Sequence, residues 1–328
     1  MPTNSNYGSA LSCTIEFLQP LLKKHKQEQK QKRSNIPFFL AISGPQGSGK
    51  STLAEALCHT LSQSPYGLSV VPLSVDDFYL TKEDLDRLLE VDPANKLVSV
   101  RGPPGTHDTI IAARTMEALA GINCPNNSRT VAIPRYDKSA FGGRGDRHPP
   151  SKWTTIQAPV DVVIFEGWCV GFQSLPDQDL DEVLEQAAAE AAHITAGESR
   201  SSEGKASIAP LSEHSSNSLR SMKRALGNYT CGAGVTAFTC KVNWGAFIHL
   251  DPTELNNVFH WRLEQEQQLR KLKGTGMTDE QVEAFIKVYM PAYLLYMDNL
   301  RKGVVSRGRQ LRLILGPERD LTGIEIIE

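Results

Sequence analysis

Gly44, Gly49, Lys50 and Ser51 stand in the spacing GxxxxGK[ST] inside FFLAISGPQGSGKST, residues 38–52. Glycines so placed let successive backbone N–H groups curl around phosphate oxygens, and the positive end of a following helix adds to the attraction. The chemistry this predicts is nucleotide-phosphate binding by Gly44, Pro45, Gln46, Gly47, Ser48, Gly49, Lys50, Ser51 and Thr52. Lys50 is expected on the β- and γ-phosphates, and the Ser51 hydroxyl on Mg²⁺. A second oxygen for the metal is expected from Glu166, which ends the apolar run VVIFEG, either directly or through a metal-bound water. The bland alternatives are a Gly-rich connector and a solvent-facing strand-end acid.

Asp76 and Asp77 follow another apolar run, residues 68–75. A hydroxyl attacking the γ-phosphorus must lose a proton, and a carboxylate aimed at the cleft can accept it. Asp76 is assigned to that role, and Asp77 stays open because Asp is also a preferred helix N-cap. Arg135, Arg144 and Arg147 cluster in loops expected to face the cleft, with Arg101 and His107 approaching from the other side. Such cations would orient the carboxylate of a small hydroxy acid, although each could equally be a surface charge. A nucleoside would call for aromatic and amide groups, of which this region offers little beyond Tyr136 and Trp153. Arg262 and Arg270 fall near one face of a helix and are expected to meet the charge of the transferring phosphoryl group after closure. Their alternative is pairing within the helix, where Glu264 and Glu266 lie close.

These groups need elements to hold them. Residues 38–43 read as a buried strand, and the helix after the loop carries Leu53, Leu57 and Leu61 four apart. Further strands are expected at 68–75, 130–134, 160–165, 246–250 and 310–315. Helices are expected at 13–31, 82–89, 109–119, 177–193, 252–273 and 278–299. The alternation predicts an α/β fold, a parallel sheet with helices on both faces plus a helical lid, with ligands at the carboxyl ends of the strands. Residues 1–35 are expected to be a polar, disordered tail and a helix, and 36–328 one domain. The Ser-rich stretch 195–217 reads as a disordered insertion. Segment 307–320 is placed at the base of the nucleotide by position alone.

With 328 residues, 40% of them hydrophobic, the chain can bury a large core. A net charge of −2 argues against nucleic acid or an anionic membrane as partner and favours a small molecule. The basic run KKHKQEQKQKR could be a nuclear-localisation signal, but its interspersed Gln and Glu favour a solvated helix end. The six cysteines lack any CxxC pair, and the first residues lack an apolar signal. A cytoplasmic location is expected, with the nucleus also open. Oligomeric state is not legible.

The segments GPQGSGKS, VDDFY, PRYDKS and FEG resemble the kinase group that includes uridine kinase, phosphoribulokinase and bacterial-type pantothenate kinase. RGPPGTHD, FGGRGDR, FEGWCVGF and GMTDEQVEAFIKVYMPAY resemble more closely D-glycerate 3-kinase and its fungal-type ATP-dependent kinase relatives. The resemblance covers about residues 36–185 and 240–328; the insertion is not part of it. It implies an ATP- and Mg²⁺-dependent kinase of a small metabolite, best matched by D-glycerate at its 3-hydroxyl. It also implies Asp76 as catalytic acid, Glu166 as strand-end acid, Tyr136 and Asp137 as a substrate-side pair, and Arg262 and Arg270 as lid arginines. The competing readings are a uridine- or pantothenate-type kinase, a GTP switch, which should carry an N-K-x-D motif that the sequence lacks, and a nucleotide-binding regulatory protein with a kinase fold.

Overall fold

The computed structural model describes residues 4–32, 34–197, 206–229, 242–274 and 276–328. Helix α1 (Asn4–Lys32) leads into strand β1 (Phe38–Ser43), buried along its whole length as a central parallel strand is. Then come α2 (Lys50–Ser62), β2 (Val70–Ser74), α3 (Lys82–Val91) and α4 (Thr109–Ala120). Four short strands follow, β3 (Thr130–Ile133), β4 (Tyr136–Asp137), β5 (Asp146–Arg147) and β6 (Thr154–Gln157). The chain continues through β7 (Val162–Gly167), α5 (Asp177–Thr195), α6 (Ser216–Gly227) and β8 (Trp244–Pro252). It closes with α7 (Asn257–Lys273), α8 (Asp279–Lys302), β9 (Gln310–Leu315) and β10 (Leu321–Ile327).

The main sheet has the order β10-β9-β8-β1-β7-β2, parallel except for the antiparallel edge strand β10. Because strand side chains alternate, Phe38, Leu40 and Ile42 enter one apolar cluster and Phe39 and Ala41 the other. The first cluster takes Leu18 from α1 and Leu53, Leu57 and Leu61 from α2. The second takes Met116 from α4, Leu219 and Met222 from α6, and Tyr289, Tyr293 and Tyr296 from α8. Helices thus cover both faces, as the alternation predicts. Thr278 caps α8 reciprocally with Gln281, which sets where that helix begins against the sheet.

Three sequence expectations need correction, and one strand lies outside them. Residues 1–12 are not all tail, since α1 starts at Asn4. The segment 195–217 is only partly insertion-like: residues 198–205 lie outside the described residues, but Leu211 is fully buried and α6 begins at Ser216. Leu219, Met222 and Leu226 give α6 a buried stripe that the preceding Ser-rich composition masks. The run at 130–133 is a strand outside the main sheet, paired antiparallel with β6. Its alternate residues are exposed, whereas an inner parallel strand is buried on both faces. Strand β10 escapes the sequence reading for a related reason, being a half-exposed edge without a continuous apolar run. Among the described residues, no helix is long and apolar enough to cross a membrane.

His249, on β8 beside Ser43 of β1, is fully buried, and neither ring nitrogen has a hydrogen-bond partner among the described residues. Burial holds its pKa down to about 4, against 6.5 in the unfolded chain. The unfolded state therefore takes up this proton first as pH falls, and stability is lost from about pH 6.5 downward. His249→Leu is expected to remove roughly 2 kcal/mol of the stability difference between pH 7 and pH 5, measured by urea unfolding at both. An unchanged difference would show that the imidazole is not held neutral.

Candidate active site

The loop between β1 and α2 is fixed from below. Gly47 has φ 78° and Gly49 φ 92°, a left-handed backbone that glycine adopts without strain. A Cβ on Gly47 would stand 2.6 Å from Trp261 Cβ, so α7 seats directly against the loop. Arg319 locks that seat: its Nε donates to Gly47 O at 2.6 Å, Nη2 to Trp261 O at 3.2 Å and Nη1 to Glu264 at 2.7 Å. Tyr293 of α8 accepts from the Gln46 N–H through its hydroxyl at 3.1 Å. Lys50 Nζ donates to the Pro45 carbonyl at 2.8 Å. Segment 307–320 thus meets the phosphate loop through Arg319.

Three neighbouring parallel strands, β1, β7 and β2, end at this loop, with Glu166 in register with Ile42 on one side and Ser74 on the other. The Ser51 hydroxyl donates to Glu166 Oε1 at 3.2 Å. Burial pushes the Glu166 pKa up while the Lys50 ammonium opposes it; burial lowers the Lys50 pKa while Glu166 and Asp76 oppose it. Among the described residues, no cluster of three or more His, Cys, Asp or Glu forms a metal cage. One hydroxyl and one carboxylate fit a hard, octahedral Mg²⁺ that takes its remaining ligands from phosphate and water.

Asp76 leaves β2 in the turn Val75–Phe78, and both its oxygens are engaged: Tyr79 Oη donates to Oδ1 at 2.6 Å and Lys138 Nζ to Oδ2 at 2.5 Å. Burial raises its pKa, but the Lys138 charge and the two hydrogen bonds outweigh this and hold it below the ordinary value. Asp77 takes the other role open to it. It accepts from the Ser74 backbone at 3.3 Å, closing a capping box, and from Arg135 at 3.1 Å.

A cavity of about 330 Å³ collects Gln46, Gly47, Gly49, Lys50, Ser51 and Thr52 together with Asp76 and Glu166. Arg101 and Arg262 line it as the sequence predicts, and Tyr79, Lys138, Trp168, Gln265, Phe285 and Tyr289 line it without having been singled out. The other predicted substrate cations lie elsewhere. Arg135 pairs with Asp77, Arg144 with Asp86, and Arg147 with Asp108 at 3.0 Å. Asp137 accepts from the Ser139 N–H and hydroxyl, which lower its pKa and make it a turn former. Tyr136 stands edge-on to Tyr79, and burial pushes its pKa up to about 12. His107 is buried against Tyr79 with Nδ1 2.5 Å from Tyr229 Oη, its pKa lowered by burial to about 4. It is a neutral support of the wall.

The two arginines expected on the lid part company. Arg262 pairs with Glu266 at 2.8 Å, lies over the Phe285 ring at 5.6 Å and lines the cavity. Arg270, two turns on, pairs with Asp279 where α8 begins and is outside the cavity. Their position on one helix face did not distinguish them, because Arg262 meets Phe285 inside α8 whereas Arg270 meets Asp279 at its first residue. The aromatic wall escapes the sequence reading because Tyr79, Trp168 and the pair Phe285 and Tyr289 come from three separate segments, whereas Trp153 lies outside the cavity. Arg319→Ala should leave the buried Gly47 carbonyl without its donor and weaken ADP binding about 10-fold. Titration calorimetry reads this, and unchanged affinity would free the loop from that clamp.

No family model matches the chain. The kinase mug58 of Schizosaccharomyces pombe is 36% identical over 293 residues, 89% of this chain and 92% of that protein. The probable ATP-dependent kinase TDA10 of Saccharomyces cerevisiae is 35% identical over 314 residues, 94% of this chain and 92% of that one. Among solved structures, the D-glycerate 3-kinase of Cryptococcus neoformans var. grubii is 32% identical, with a TM-score of 0.81 over 97% of this chain and 99% of that one. With identity this high across nearly the whole of each protein, and with the phosphate loop, strand-end acids and lid in one cavity, the chain belongs to the D-glycerate 3-kinase-like family of ATP-dependent P-loop kinases.

Proposed function

We propose that the chain transfers the γ-phosphate of ATP to the 3-hydroxyl of D-glycerate. The observation that carries this reading is the base Asp76 bonded to Lys138 at 2.5 Å, in the same cavity as the phosphate loop. A carboxylate base beside an exposed cation suits an acceptor bearing both a hydroxyl and an acid. The name of the Cryptococcus relative, D-glycerate 3-kinase, supports the same acceptor.

Ser51 and Glu166 would hold Mg²⁺, which when bound would supply charge neutralisation at the nucleotide phosphates. The loop amides and Lys50 cradle the same phosphates, with Lys50 exchanging the Pro45 carbonyl for phosphate oxygens. Asp76 accepts the acceptor hydroxyl's proton as the new oxygen–phosphorus bond forms and the bond to ADP breaks, leaving the negative charge on ADP. Its lowered pKa keeps it ionised throughout the neutral range. Arg262 meets the charge on the transferring group from the lid, and Phe285 and Trp168 exclude water around it.

A nucleoside acceptor is a second reading, favoured by the rings of Tyr79, Trp168 and Tyr289. Their polar ends are engaged, however: Tyr79 on Asp76, Trp168 on Gly102 O at 3.2 Å, and Tyr289 on Arg101 O at 2.9 Å.

ADP release with ATP and a panel of hydroxy acids, nucleosides and pantothenate separates these readings, D-glycerate being the expected acceptor. Lys50→Ala and Asp76→Asn should each lower kcat roughly 10³-fold with whichever acceptor works. Turnover surviving in both would remove the assigned machinery. Arg262→Ala should lower kcat about 100-fold, while Arg270→Ala should stay within about threefold of wild type because its partner Asp279 lies outside the cavity. The reverse order would mean that the lid closes differently.

A further inference from the structure

Lys138 stands apart from the other cations of the cavity. Lys50 belongs to the phosphate loop, and Arg262 is paired with Glu266. Arg101 directs its N–H groups to the carbonyls of Gly143 at 2.5 Å, Arg144 at 2.8 Å and Lys138 at 3.4 Å, which holds the loop carrying Lys138 in place. The ion pair of Lys138 is with the base itself, at 2.5 Å. The two donors on Asp76 differ in freedom. Tyr79 is 4% exposed and wedged between the rings of His107 and Tyr136, whereas the Lys138 side chain is 58% exposed on a turn. Tyr79 must stay on Oδ1; Lys138 can leave Oδ2.

We propose that the acceptor's carboxylate draws Lys138 off Asp76, so that the enzyme's base is released only by a substrate that carries an acid group. An ammonium on Oδ2 occupies the oxygen best placed for the hydroxyl proton and lowers its basicity. A hydroxy acid exchanges that ion pair for one of its own. Its hydroxyl proton then passes to Oδ2 as the oxygen–phosphorus bond forms and the phosphorus–oxygen bond to ADP breaks. A neutral alcohol of the same size leaves Lys138 in place and the base blocked. Lys138 is a substrate-binding residue in this scheme, selecting the acceptor by pairing with its carboxylate and so freeing Asp76. The inference rests on the reading of the acceptor as a small hydroxy acid.

The test compares wild type, Lys138→Met and Lys138→Arg in the full chain, with D-glycerate and with glycerol, by ADP release under saturating ATP. Lys138→Met should lower kcat/KM for D-glycerate about 100-fold and raise glycerol turnover, because the base is no longer blocked; unchanged glycerol turnover would make Lys138 a carboxylate binder only and overturns the proposal. The preference for the acid would therefore shrink by at least that factor, with KM for ATP unchanged. Lys138→Arg, which can form the same pair, should keep most of the preference. A purely structural lysine would lower both acceptors together, and that outcome overturns the proposal. So does an unchanged preference in Lys138→Met. If wild type turns over no hydroxy acid, the acceptor reading fails first and the proposal falls with it; if D-glycerate is a good substrate and the preference survives the substitution, only the proposal fails.

Discussion

Everything in the site depends on bringing one buried ammonium and two buried carboxylates together without leaving any of them uncompensated. Lys50, Glu166 and Asp76 each lose hydration, and each is shifted by burial in the direction that disfavours its charge. The Lys50 ammonium opposes the shift of Glu166, and both carboxylates oppose that of Lys50, whereas Asp76 adds to the shift of Glu166 and is itself held charged by Lys138 and Tyr79. The sheet makes the arrangement by placing β1, β7 and β2 side by side, parallel and ending together. In parallel strands the carboxyl ends share one edge, so three sequence-distant groups converge without any long loop.

The opposite wall is built from α8, and its tyrosines do more than fill the core. Tyr293 holds the Gln46 amide and Tyr289 the Arg101 carbonyl, so one helix touches both the phosphate loop and the segment that orders the acceptor side. Arg101 passes this order on to the carbonyls of Gly143 and Arg144. On the other side, Arg319 fastens the loop to α7. Tyr293 and Arg319, which do not line the cavity, thus hold the phosphate loop, while the Lys138 side chain is exposed.

Sequence reading succeeded where function is a local pattern and faltered where it is a meeting of segments. The phosphate loop, Glu166 and Asp76 each follow an apolar run, and the run itself announces the buried strand that aims them. Arg135, Arg144 and Arg147 looked like an acceptor cluster because they are close in sequence. Asp77, Asp86 and Asp108, from other segments, neutralise them one by one. Lys138 sits between Asp137 and Ser139 in a polar stretch with no spacing rule, and only the proximity of Asp76 gives it meaning. One signal for it was available in the motif PRYDKS, where a cation follows the Tyr-Asp pair.

The amino-acid order alone determined the nucleotide-binding chemistry, the family resemblance and the alternating α/β architecture. Each is encoded in residues adjacent along the chain: glycines that permit one backbone path, and apolar periods that match one element. Tertiary structure decided which charges face the cavity and which are neutralised, because an ion pair depends on distances between segments that no local pattern specifies. It therefore separated Arg262 from Arg270, gave Asp76 and Asp77 different partners, and set Lys138 against Asp76.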